Sequence, residues 1–152
     1  YNHGKVKAML YLTKGEGFGR PLAEFFVSKK PAIVSAWSGH MDFCNPEHAV
    51  LVPGELRDIH PSAQAQNMLI QGSKWFSPNV KYVADKMTDM FQNPKKYEES
   101  AKRQSHFVKS NFSYDAMKSK LEKFLEVVPK PVALKLPTLK KIELPKLKKT
   151  EQ

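Results

Sequence analysis

Apolar residues open the chain as short unbroken runs and later change to helical spacing. The runs are Ala8-Met9-Leu10-Tyr11-Leu12, Ala32-Ile33-Val34-Ser35-Ala36-Trp37 and Ala49-Val50-Leu51-Val52. Their length and bounding turn residues predict strands over 6–12, 32–37 and 49–52, and continuous apolarity suits strands covered on both faces of a parallel sheet. Leu22, Phe25 and Phe26 recur at helical spacing after Pro21, a residue tolerated in a first helical turn, so a helix is expected from Arg20 or Pro21 to Ser28. Lys29 and Lys30 suit its negative end, and Pro31 bars its continuation. Strand, helix and strand within about 30 residues make one βαβ unit.

Farther along, Val80, Val83, Ala84, Met87, Met90 and Phe91 give an amphipathic helix over 79–91. Asn93 and Pro94 start another that runs to about Ser110. Ser113 caps a third, whose apolar face is Met117, Leu121, Phe124 and Leu125 and which ends near Val128. Residues 55–77 carry irregular signals, with a short apolar run at 68–70 and then Trp75 and Phe76, which are expected in the core. From Pro129 the pattern changes again. Two consecutive octads, 134–141 and 142–149, repeat apolar-x-Leu-Pro-x-Leu-Lys-Lys. Pro137 and Pro145 forbid a regular helix, so 129–152 reads as an extended tail beside a domain at 1–128.

The first strand runs into a glycine-rich turn, Thr13-Lys14-Gly15-Glu16-Gly17-Phe18-Gly19-Arg20. Alternate glycines let the backbone turn sharply and approach a ligand, and the helix that follows aims its free N–H groups and its dipole at the loop. Ligands in parallel sheets lie at the carboxyl ends of the strands, which puts 13–19 and 38–43 side by side.

Glu16 and Glu24 flank this turn with seven residues between them. The stretch Glu16-Gly17-Phe18-Gly19-Arg20-Pro21-Leu22-Ala23-Glu24 resembles the E-x7-E motif of retaining glycosyltransferases of the GT-B type. Lys30-Pro31-Ala32-Ile33-Val34-Ser35 resembles that family's G-x-P-V-V-x-S strand. Ser38-Gly39-His40-Met41-Asp42 resembles its G-G-x-x-E turn, with Asp42 in place of the usual Glu. The helical stretches at 82–91 and 93–125 resemble the family's closing helices, so the likeness covers about 6–125.

The resemblance implies an α/β fold: a Rossmann-like parallel-sheet half-domain, the C-terminal, donor-binding half of GT-B, with C-terminal helices and the basic tail. It implies transfer of a glycosyl group from a nucleotide-diphosphate sugar with retention at the anomeric carbon. Glu16 would act at the transferred sugar, and Glu24 would grip the ribose hydroxyls. Gly15, Gly17, Phe18, Gly19, Arg20, Ser38 and Gly39 would complete the donor site. The family's other phosphate-binding basic pair and its acceptor domain have no counterpart here. The chain is therefore expected to be an N-terminally truncated piece that is inactive alone, with an unknown acceptor. No Asp-x-Asp motif occurs, and Gly17, Phe18, Gly19 and Arg20 offer N–H groups and a cation to the leaving diphosphate, so no metal or other cofactor is expected.

Charge and cysteine content add little to this picture. The net charge is +10, and half of that excess lies in 129–152, with seven Lys against two Glu. A basic anion-binding, nucleic-acid-binding or scaffold module acting through that tail, with a protein or anionic partner, is the alternative reading. The single cysteine, Cys44, rules out a disulfide within the chain and suits a reducing, cytoplasmic compartment. His40, Asp42, Cys44 and His48 follow no zinc spacing and read as polar residues of a turn.

Overall fold

Three strands lie parallel in the order β1 (Met9–Tyr11), β2 (Ala32–Ser35), β3 (Val50–Val52). The register pairs Leu10 with Ile33 and Val34 with Leu51. The computed structural model describes residues 1–64, 69 and 72–127. Met68, Ile70 and the whole tail at 129–152 lie outside the described residues, so the octads carry no structural account.

β2 is central and buried at all four positions, and its alternate side chains enter two different cores. Ala32 and Val34 face α1 (Arg20–Val27), where they join Leu22, Phe25, Phe26, Phe43 and Val108. Ile33 faces the other side, with Val52 and with Val83 and Met90 of α2 (Val80–Gln92). Helices thus cover both faces, which explains why β2 is apolar without alternation. Leu22, Phe25 and Phe26 are essentially inaccessible, and each contributes roughly 1.5–3 kcal/mol by burial.

Two features depart from the pattern-based expectation. Gly54–Asp58 (β4) and Lys74–Pro78 (β5) form an antiparallel pair within the stretch read as irregular. β4 is exposed at all five positions, so no buried face marked it as a strand. Phe76 of β5 is buried as expected, and its N–H donates to the Lys14 carbonyl at 2.9 Å, tying this hairpin to the glycine turn. The second departure concerns the closing helices. α3 (Pro94–Phe112) packs on α1 and α2, whereas α4 (Tyr114–Val127) packs mainly on α3. The apolar face of α4 is consequently open, with Leu121 56 % and Phe124 66 % exposed.

The caps follow the sequence in part. Asn79 accepts from the Tyr82 N–H at 3.0 Å, and Ser113 accepts from the Ala116 N–H at 3.3 Å. Asn93 makes no side-chain cap. Its amide instead donates to Asp89 at 2.7 Å.

Asp89 also accepts from the Tyr97 hydroxyl, and from the Lys96 ammonium at 3.0 Å. This carboxylate ties the end of α2 to the first turn of α3. The Tyr97 hydrogen bond, then those of Lys96 and Asn93, hold its carboxyl well below the usual range. A depressed carboxyl adds stability that is complete above the unfolded value of about pH 4 and is lost as pH falls below it. Asp89→Asn should therefore flatten the decline in stability between about pH 4 and pH 2. Urea midpoints of the two proteins across that range provide the check. Parallel profiles would mean that Asp89 does not set the acid limb.

Candidate functional site

The glycine turn and the turn after β2 are joined at the carboxyl ends of β1 and β2. Gly39 N–H donates to the Glu16 carbonyl at 3.0 Å. The Ser38 hydroxyl accepts from the Glu16 N–H at 2.7 Å and donates to the Glu16 carbonyl at 2.5 Å. Ser38 has φ 86° and ψ −171°, a region almost confined to glycine that costs roughly 1–3 kcal/mol for other residues. Its three surrounding hydrogen bonds hold it there. Gly39 begins a 3₁₀ turn, Gly39–Asp42, and lies so close to Gly17 that no side chain fits.

Gly19 is the N-cap of α1 in the left-handed region (φ 85°, ψ 45°), where a residue without a Cβ is favoured. It offers no side-chain cap, and Pro21 has no N–H. Among the described residues, nothing accepts from the N–H groups of Gly17, Phe18, Gly19 or Arg20. A run of open donors at the positive end of a helix favours an anion.

Glu16 is half-buried beside this run. The Tyr11 hydroxyl donates to its Oε2 at 2.5 Å. Burial, then the hydrogen bond to Glu16 and its charge, push Tyr11 up to about 12, so the phenol stays protonated and keeps donating. Glu24 is exposed and pairs with Arg20 at 3.4 Å. The two carboxylates thus make different contacts, Glu16 with Tyr11 and Glu24 with Arg20. Phe18 is half-exposed, with its ring 5.0 Å from that of Phe43 and 6.0 Å from that of Phe112. Gly15 is exposed. Of the residues singled out from the sequence, Glu16, Gly17, Gly19, Ser38 and Gly39 come together, with Phe18 at one side. Arg20 and Glu24 form an exposed pair across the first turn of the helix.

Below the junction lies a buried polar chain that residue patterns missed. Ser35 donates to the Thr13 carbonyl at 2.9 Å, and His40 Nε2 donates to the Ser35 carbonyl at 2.7 Å. That bond requires a proton on Nε2. His40 is fully buried, stands edge-on to Tyr11 at 5.8 Å, and its Nδ1 has no partner among the described residues. Thr13 Oγ1 is likewise buried and unpaired. His40 is thus buried and tied to the end of β2, and is not merely a surface polar residue of the turn. Its position after Ser38-Gly39 was the only signal available. Cys44 is buried, and burial pushes its thiol up to about 12, which makes it unreactive. Among the described residues, no three His, Cys, Asp or Glu side chains are grouped to hold a metal ion, and no helix is long and apolar enough to cross a membrane.

No family model, curated protein or solved structure matches the chain.

Proposed function

We propose that this junction is part of the donor site of a nucleotide-sugar-dependent retaining glycosyltransferase, on a Rossmann-like half-domain of the GT-B type. The observation that carries the reading is the set of unpaired N–H groups at Gly17, Phe18, Gly19 and Arg20, held at the start of α1 beside a half-buried Glu16. Breaking the bond between sugar and nucleoside diphosphate leaves negative charge on the β-phosphate oxygen. Fixed backbone donors and a helix dipole stabilise such a charge without reorganising. Glu16, oriented by Tyr11, supports the sugar as positive charge develops at its anomeric carbon. Glu24 accepts from the ribose hydroxyls once it exchanges its exposed contact with Arg20, a pair that holds it only weakly.

Calorimetry with UDP-, GDP- and ADP-glucose tests this reading on the chain itself. One of the three is expected to bind. Glu24→Gln keeps the shape but removes the charged acceptor, and should cost about 1.5–3 kcal/mol of affinity. Failure of all three donors to bind, or unchanged binding by Glu24→Gln, would remove the claim.

A further inference from the structure

A second concave surface lies between the loop that precedes β3 and the outer face of α3. It is a groove of about 490 Å³ with Phe107 among its lining residues and His48, Lys102, Arg103 and His106 around it. Its volume is within the range that holds small ligands, about 300–1,000 Å³. Asn111 also lines it. Arg103 has no carboxylate within ion-pair distance among the described residues. Lys102 is held by Glu99 at 2.6 Å, but both side chains are more than half exposed, so the pair exchanges easily for a better anion.

We infer that this groove binds a small phosphorylated molecule, with the phosphate taken by Arg103, Lys102 and His48 and the remainder lying on Phe107. A guanidinium matches phosphate in two-point geometry, and an ammonium and an imidazole beside it add further donors. The proposal is independent of the glycine turn, since no residue is shared between the two.

The test is titration of the full chain with sodium pyrophosphate, followed by backbone amide shifts in NMR. Saturable shifts are expected at 47–49 and 102–111. Arg103→Ala should weaken this binding roughly tenfold, the size typical of losing one charge-assisted hydrogen bond. Glu99→Gln releases Lys102 and should tighten it a few-fold, a gain that damage to the fold would not produce. Lys81→Ala, an exposed cation on α2, should leave it unchanged. Three outcomes would overturn the proposal: shifts confined to 15–20, an equal loss in Lys81→Ala, or no gain in Glu99→Gln. Shifts at both places, with only those at 102–111 sensitive to Arg103→Ala, would support two separate anion sites.

Discussion

Gly39→Ala is expected to separate the two turns that make up the candidate site and to lower the melting temperature by about 5–10 °C. A Cβ at this position would stand 1.8 Å from the Gly17 carbonyl oxygen and 2.5 Å from its carbon. The atoms in the way are backbone, so no rotamer change relieves the clash and one turn must move off the other. Movement breaks the Gly39 bond to Glu16 and pulls on both bonds of the Ser38 hydroxyl. Overpacking of this kind costs about 1–3 kcal/mol, and each hydrogen bond lost adds about 1 kcal/mol. At roughly 2–4 °C per kcal/mol for a chain of this size, the stated shift follows. Gly17→Ala is the matched control, because a Cβ there meets nothing within 4 Å. Calorimetric melting of both variants decides the point. Gly39→Ala within a degree of Gly17→Ala would mean that the junction is not closely packed.

The parallel strands and α1 to α4 were legible from apolar patterning, as unbroken runs in the strands and helical spacing in the helices. β2 announced itself by unbroken apolarity, and α2 by the spacing of Val83, Met87 and Met90. The hairpin of β4 and β5 was not legible, since β4 is exposed throughout and its register comes from backbone pairing. The apolar face of α4 was read correctly as amphipathic, but a sequence pattern does not say what a face packs against. Here that face stays exposed. In the site, glycine spacing located the turn, because only glycine tolerates a left-handed cap at Gly19 and the close approach at Gly39. The partners of the carboxylates were hidden. Tyr11 reaches Glu16 from the preceding strand, and Arg20 engages Glu24 along one helix face. His40 was hidden for a similar reason: its function is to donate to a main-chain carbonyl, which has no residue signature.

Phe43→Ala should produce the largest loss of stability among the substitutions considered, about 3–5 kcal/mol. Its ring is completely inaccessible. It stands between Phe18 of the glycine turn at 5.0 Å, Phe112 at the end of α3 at 5.9 Å and Phe26 of α1 at 6.3 Å. Its carbonyl accepts from the Gln104 amide, whose Oε1 in turn accepts from the Asn45 N–H at 3.1 Å. The residue therefore joins the turn after β2, the buried face of α3 and the glycine turn at one point. Truncation leaves a cavity that three aromatic neighbours cannot close without moving, so the cost belongs at the upper part of the range for Phe→Ala. The second expected effect is local. Phe18 is already half-exposed, and Phe43 and Phe112 are the two rings against which it rests. Removing one of them should speed amide exchange across 15–20 well before the protein unfolds as a whole. Phe43→Leu keeps most of the volume and separates the two effects, with a global cost of about 1–2 kcal/mol and a smaller change in the turn. Hydrogen exchange read residue by residue, alongside urea melts, gives both quantities. A Phe43→Ala protein that loses stability but keeps wild-type exchange at 15–20 would show that the turn is held by Ser38 and Gly39 alone, with no support from the aromatic cluster beneath it.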